Sequence, residues 1–494
     1  MIEYFSEKQL SIKEFKTPFN AELSSDNRWV KLASVVPWDT FANLYMSLMD
    51  THQGRPGISP RIILGALIIK HKENLSDQKT IEAIQENIYM QFFVGLKGFQ
   101  IEKIFDSSLF VTIRKRIGKT EFDLLNSKLI KSASKKSDAK NISKKSDDES
   151  HPPNKGKLQA DATVADQYIT FPTDAKLLNS SRKKLDIMID KLYVYYGKKI
   201  VKPRTNRRVL DTHFLNYSKK KNKSKAVHRK MKRKLLESVN RNINFVSSLL
   251  PDMTVLEMGK DYPLSKNDLL LFEVIQAVYL QQKQMYDQKT NSCPDRIVSI
   301  YQPHVRPILR GKQNARVEFG SKLGVSLDNG FTLVNHLSWK AYHEGKDLIN
   351  QVKQYFDIHG FYPDLVQVDK AYSTRENRNW LKERNIRITA PPLGRKPKQQ
   401  ISQYQKTKRK KEAAERNHIE AKFGQGKNGY NLNKIRAKLK STAESWVSCI
   451  FFVMNLINYL KKIPFVHIFR QLYNRFIFVL DAINGNQKYK GMAY

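Results

Sequence analysis

Residues 158 to 164 alternate apolar and polar side chains, and an aspartate sits in the middle of the polar set. Leu158, Ala160, Ala162 and Val164 fall on one face of a short strand; Gln159, Asp161 and Thr163 fall on the other. A carboxylate on such a strand costs stability unless something positive faces it. The stretch from Gln159 to Asn179, QADATVADQYITFPTDAKLLN, therefore constrains the fold through one question: what Asp161 points at.

The chain has 494 residues, room for about three domains of typical size. Hydrophobic residues make up 40%, enough for a real core. Lys and Arg number 87 against 47 Asp and Glu, a formal charge of +40. That excess opposes compaction by self-repulsion and points to a polyanionic partner, nucleic acid first and an anionic membrane surface second. Basicity for solubility alone is the bland alternative. Two cysteines far apart in sequence, Cys293 and Cys449, build neither a zinc ribbon nor a disulfide framework, so a reduced, cytoplasmic setting is expected. The start, MIEYFSEKQL, has no secretory pattern. Trp446 to Leu460 is apolar but contains Asn455 and Asn458 and falls short of the ~20 residues of a membrane span, so it reads as a buried core helix.

From Asn27 to about Lys131 the pattern is helical. Ser59-Pro60 starts one helix, Ser76 caps the next, and a third runs from about Ser108 to Ile117 with Arg114, Lys115 and Arg116 at its tip. Short helices with basic tips fit a helix-turn-helix-like DNA-binding module, and equally a plain bundle used for packing or dimerisation. Residues 132–157 are a low-complexity Ser/Lys/Asp linker. Residues 176–290 are helical and include Arg182 to Tyr196 and the basic run Ser218 to Lys234, whose like charges need phosphates or open solvent. Asp174 is expected to cap the helix after the opening stretch. Strand character returns at Ile297 to Tyr301 and in two strands around Asp328-Asn329-Gly330. A helix from Lys346 to His359 follows, then a strand Leu365 to Asp369, a helix Arg375 to Arg384 and a strand Ile386 to Ala390. Arg395 to Lys411 is expected as a basic loop before a helix from about Glu412 to Gly424.

Alternating strands and helices argue for an α/β layer. Asp161 lies within one strand and Asp369 ends another; if those strands are neighbours, the two can share a cation. Arg416, Glu420 and Lys427 lie at i−4, i and i+7, one face of a helix. Alone that is an ion-pair face. With the two aspartates it suggests a site where carboxylates hold two hard divalent cations and basic groups hold phosphates. Glu412 and Glu415 are rival acids, Glu318 a candidate supporting one, and His304 and Arg306 a candidate DNA contact or a surface turn. Gly424 to Gly429 fits GxGxxG but follows a helix rather than a strand, which discards a dinucleotide site.

At these residues the chain resembles bacterial insertion-sequence transposases of the DDE type. The likeness covers about 27–131, 158–178 and 296–460. RPGISPRIILGALIIKHKENLSDQKTIEAIQENIYMQFFVGL resembles the family's helical N-terminal domain. DATVADQYITFPTDAKLLN, VQVDKAYSTRENRNWL and RNHIEAKFGQGKNGY resemble the segments bearing the three catalytic acids, which fall on Asp161, Asp369 and Glu420. The family signature Tyr-x2-Arg-x3-Glu-x6-Lys is met at Arg416, Glu420 and Lys427; Ala413 stands where the tyrosine would be.

The resemblance implies an α/β RNase H-like catalytic core, a mixed sheet flanked by helices, with an all-α N-terminal domain. The divisions expected are 1–131 for a helical DNA-binding or dimerisation domain, 132–157 for the linker, 158–460 for the catalytic domain with a helical basic insertion at 176–290, and 461–494 for a helical tail. It implies Asp161, Asp369 and Glu420 as catalytic metal ligands for Mg²⁺, with Mn²⁺ as a substitute. Arg416, Lys427, Lys370, Arg375 and Lys422 would bind DNA phosphates. The partners would be double-stranded DNA, both inverted repeats and target, and a second copy of the chain on paired ends, in the bacterial cytoplasm at the nucleoid and without a membrane. A metal-dependent nuclease without strand transfer, or a domesticated DNA-binding protein without activity, are the alternatives.

Overall fold

The computed structural model describes residues 15–17, 22–49, 57–138, 153–197, 199–251, 262–309, 317–391, 393–394 and 402–462. The expected tail 461–494 therefore lies outside the described residues from 463 onward.

Among the described residues, seven helices come first: α1 (Arg28–Ala33), α2 (Trp38–Met46), α3 (Pro60–Lys72), α4 (Asp77–Glu86), α5 (Ile88–Phe93), α6 (Leu109–Arg116) and α7 (Lys119–Asp138). Their starts follow capping chemistry. Asn27, Ser76 and Asn87 accept backbone N–H groups of α1, α4 and α5, and Pro60 opens α3. The first residues of the expected linker, 132–138, continue α7.

Next come β1 (Lys157–Asp166) and the helices α8 (Asp174–Tyr195), α9 (Arg207–Lys219), α10 (Lys225–Leu249) and α11 (Lys266–Asp287). These helices surround a core of their own built on Leu185, Met188, Leu235, Val239, Ile275 and Val278. Helix α8 starts eight residues before Arg182, capped by Thr173, whose hydroxyl accepts from Lys176 N. Asp174 is thus not the cap but the first helical residue, and it pairs with Lys232 at 2.9 Å and Arg296 at 2.7 Å. The basic run from Ser218 does not form one helix. It breaks after Lys219, and Ser224 caps a new helix by accepting from Val227 N. The break spares several lysines from stacking on one face.

The remaining elements are β2 (Arg306–Leu309), β3 (Val317–Asp328), β4 (Phe331–Ser338), α12 (Leu348–His359), β5 (Leu365–Gln367), α13 (Arg375–Glu383), β6 (Arg387–Ile388), α14 (Gln403–Gly429) and α15 (Lys440–Lys462). One mixed sheet results. β3 pairs antiparallel with β1 on one side and with β2 and β4 on the other, while β1, β5 and β6 run parallel. The β3–β4 hairpin turns at Asn329 and Gly330, both at positive φ (46° and 79°), the two-residue turn that matches strand twist. At Gly320 a side chain would run into the Ala165 carbonyl, so β3 and β1 approach closely there.

Three expectations change. Ile297 to Tyr301 forms no strand: Ile297, Val298 and Ile300 are buried, but Gln281 Oε1 accepts from Ile297 N in place of a neighbouring strand. The strand expected over Ile386 to Ala390 shrinks to two residues at the sheet edge. The basic loop expected before Glu412 is helical from Gln403 as α14, because QYQKTKRKKEAAERNH is made almost wholly of good helix formers; residues 395–401 lie outside the described set.

Helix α15 ties the molecule together. It packs on α3, α6 and α7 and also on β4, so the N-terminal helices and one face of the sheet share a single core. The helix is 23 residues, longer than the apolar stretch read from sequence, and long and apolar enough to cross a membrane by length and composition; most of it is buried inside the protein. Asn455, fully buried, explains why this helix carries polar groups. Its Nδ2 donates to Thr332 O at 2.6 Å and to Asn126 Oδ1 at 3.1 Å, and its Oδ1 accepts from Thr332 N at 2.8 Å. Asn455→Ala strands these groups without water and is expected to cost about 1–3 kcal/mol in urea unfolding. A loss within error would mean that they find other partners.

Candidate active site

The site starts from a register. Lys157, Leu158 and Gln159 on β1 stand opposite Leu365, Val366 and Gln367 on β5. β5 ends there, two residues before Asp369, and it lies beside the strand that carries Asp161. The separation of 208 positions between the aspartates equals that between Gln159 and Gln367. Asp369 leaves the strand end exposed, and its carboxylate accepts from Lys370 N to cap the short turn Lys370–Tyr372.

Helix α14 is pinned across these strands by glutamines. Gln159 Nε2 donates to Gln367 Oε1 and to Glu415 O, both at 2.8 Å, and Gln367 Nε2 donates to Glu412 O at 3.0 Å. All of this lies on the polar face of β1, the face that holds Asp161. The residue after Glu415, Arg416, reaches Asp161 Oδ2 at 3.7 Å and Glu420 Oε1 at 3.3 Å. The cation that Asp161 faces is Arg416.

That cation does not settle the charge. Burial pushes the Asp161 carboxyl up to about 6, the Glu344 and Glu420 charges add to the push, and the Ala162 N–H and Arg416 oppose it. Glu344 is the acid that sequence reading missed. It opens the turn Glu344–Asp347, pairs with Lys322 at 3.1 Å, and is held beside the Asp369 turn by Asn377, whose Nδ2 donates to Gly345 O and Tyr372 O at 2.7 and 2.8 Å. Tyr372, fully buried, has its hydroxyl pushed far up by burial and then by Glu344 and Asp161. HEGKD before α12 follows no spacing rule, so nothing in the sequence marks Glu344.

The rival acids are engaged elsewhere: Glu412 pairs with Arg387 at 3.3 Å and Glu415 with Lys157 at 2.7 Å. Lys427 sits at 3.1 Å from Glu318 and 3.8 Å from Asp166, further along β1 than Asp161. Lys422 turns away: its ammonium is pulled down by burial and by Lys461 and Lys462 at the end of α15, and it donates to Gln425 Oε1. Lys370 and Arg375 are exposed beside Asp369, at the turn and at the start of α13. His304 stands edge-on to Trp339 at 4.3 Å and is brought down to about 4 by burial, Lys440 and Arg306, so it is a neutral packing group. Arg306 lies on β2 and donates to the Pro303 and Val305 carbonyls.

Among the described residues, no three His, Cys, Asp or Glu side chains are gathered closely enough to form a ready ligand set. The donor chemistry still fits hard divalent cations. Asp161, Asp369 and Glu420 offer only carboxylate oxygens, and Asp161 is held up chiefly by burial, with the Glu344 and Glu420 charges adding to it, a cost that a bound cation would relieve.

Residues 366–457, which hold Asp369 and Glu420, match the transposase DDE domain. Residues 17–116 match a transposase domain (DUF772). A Rhizobium meliloti protein described as "Uncharacterized protein ORF8 in nfe locus" is 30% identical over 167 residues, 33% of this chain and 73% of the relative. No solved structure matches the chain. The chain belongs to the DDE transposases, an enzyme family of DNA cleavage and strand transfer. Its N-terminal match places it among the transposases of insertion sequences.

Proposed function

We propose that the protein binds the terminal inverted repeats of its element, cleaves a strand there and joins the freed 3′-hydroxyl to target DNA. The observation that supports this reading is that Asp161 and Asp369 belong to neighbouring parallel strands, or to the turn just past one, while Arg416 links Asp161 to Glu420. In cleavage, water attacks the scissile phosphorus and the bond to the 3′ oxygen breaks. In joining, that 3′-hydroxyl attacks a target phosphodiester and displaces its 3′ oxygen. Asp161, Asp369 and Glu420 would hold Mg²⁺, or Mn²⁺ in its place. Such cations favour the deprotonated nucleophile and balance charge on the leaving oxygen. Arg416 is released toward phosphate once cations rather than Arg416 balance Asp161 and Glu420. Lys370 and Arg375 supply exposed cations on the Asp369 side, and Lys427 does so if it leaves Glu318.

The sheet, with β1 between an antiparallel pair and a parallel pair, supports an RNase H-like reading of residues 158–460, with 176–290 as an insertion. Residues 1–131 would serve DNA binding or dimerisation. Two copies on paired ends in the bacterial nucleoid complete the proposal.

The test is cleavage and joining of DNA carrying the element's own ends, with Mg²⁺. Joined products from the wild type, and none from Asp369→Asn or Glu420→Gln, are expected. Cleavage without joining would leave a nuclease, and DNA binding without either a binding protein. The charge of +40 adds a second expectation: affinity for end DNA should fall by about 10³-fold or more between 50 and 200 mM salt. A nearly flat response in a filter-binding titration would contradict phosphate neutralisation as the source of affinity.

A further inference from the structure

We propose that a cleft between the sheet and the inserted helices binds unpaired nucleobases of the DNA, an inference that rests on the transposase reading above. The cleft encloses about 350 Å³, and its walls include Tyr168, Phe171, Lys176, Phe214, Tyr301 and Lys438. Tyr168 is 60% exposed, Phe171 66% and Tyr301 55%. A single exposed ring needs no explanation, but three around one cleft do.

Cations stand over these rings. Lys434 and Arg436 lie 5.0 and 5.9 Å above Tyr168, and Lys184 lies 5.5 Å above Tyr301. Lys176 and Lys438 are exposed at the rim, and among the described residues no carboxylate lines the cleft. The charge therefore fits a polyanion, and the rings fit flat apolar faces carried by that polyanion. An intact duplex offers phosphates but keeps its base faces stacked on one another. A strand with unpaired bases offers both, and aromatic platforms flanked by cations are how proteins hold it.

The platform is fixed in place. Tyr168 N donates to Ile435 O at 2.8 Å, and Phe171 stands edge-on to Phe319 of β3 at 5.7 Å. Tyr168 lies seven residues past Asp161 along the chain that forms β1, which at strand rise is about 23 Å. That corresponds to about seven base steps of duplex. The unpaired bases therefore belong to DNA flanking the cut, away from the scissile phosphate.

The test uses two probes, a fully paired end duplex and the same duplex with a short unpaired patch carrying 2-aminopurine. The wild type should bind the patched probe about tenfold or more tightly than the paired one and quench its fluorescence. Tyr168→Ala with Tyr301→Ala should lose that preference and the quenching while keeping its affinity for the paired probe. Tyr168→Phe with Tyr301→Phe should keep both. Equal wild-type affinity for the two probes, absent quenching in the wild type, or unchanged quenching in the double alanine variant would each overturn the inference and leave the transposase reading standing. No binding of either probe by the wild type would overturn both. The wild-type quenching decides the matter even if the alanine variant fails to fold.

Discussion

Asp161→Asn is expected to abolish strand cleavage and, in the same protein, to raise its stability when divalent cations are absent. The first effect follows from losing one of three proposed cation ligands; a fall of about 10³-fold or more is expected, equivalent to roughly 4 kcal/mol of barrier. The second follows from the carboxyl pushed up to about 6 by burial and by Glu344 and Glu420. A carboxyl raised on folding holds its proton more tightly in the folded state than in the unfolded one. Stability is therefore full below the unfolded value and declines as pH rises through about 6. At pH 8 the ionised, metal-free site should cost on the order of 1–3 kcal/mol, which asparagine removes. Thermal unfolding in EDTA checks this: the variant should melt higher than the wild type at pH 8, with the gap closing toward pH 4. Mg²⁺ should narrow the gap at pH 8 by stabilising the wild type alone. A variant that melts lower than wild type at pH 8 would show that Arg416 holds Asp161 as a structural pair.

The second large effect lies far from the site. Asp77 pairs with Lys70 at 2.9 Å and with Arg114 at 2.7 Å, and both cations are almost fully buried. They lie over Trp446 of α15, Lys70 at 4.4 Å and Arg114 at 5.0 Å, with His71 edge-on to the same ring at 5.3 Å. Burial alone would raise the Asp77 carboxyl, but its hydrogen bonds with Arg114 and the Lys70 charge outweigh burial and hold it below the ordinary range. His71 is driven well below its ordinary value by burial and then by Lys70 and Arg114, and stays neutral. One carboxylate thus compensates two buried cations where α3, α4, α6 and α15 meet. Asp77→Ala leaves both uncompensated and is expected to cost about 3–5 kcal/mol in urea unfolding. Adding Lys70→Met should restore part of the loss. A cost below about 1 kcal/mol would mean that water reaches the pair.

This cluster also shows where sequence reading falls short. Arg114, Lys115 and Arg116 read as one basic tip for DNA. Lys115 and Arg116 are exposed, but Arg114 turns into the core, and only Asp77, 37 positions away, makes that possible. Local patterns carry helix starts, turns and faces: Ser76, Asn329-Gly330 and the alternation around Asp161 all sit where their chemistry puts them. They do not carry the partner that decides whether a charge faces water. Glu344 is missed for the same reason, since its nearness to Asp161 depends on two short turns packed together through Asn377. Lys427 fits the spacing of a phosphate ligand, yet two carboxylates on neighbouring strands hold it. Helix α14 was legible as a stripe of Arg416, Glu420 and Lys427, while its length was hidden by a lysine run that reads equally as loop.

The most direct measurement is Mn²⁺ binding by electron paramagnetic resonance to the full chain on end DNA. Wild type is compared with Asp161→Asn, Asp369→Asn and Glu420→Gln, each first shown to melt cooperatively. The account predicts that every substitution removes or weakens the bound signal by about tenfold or more, because in the proposed reading all three carboxylates come to serve one site. Binding in Asp369→Asn or Glu420→Gln equal to the wild type would contradict a shared site and take that residue out of it.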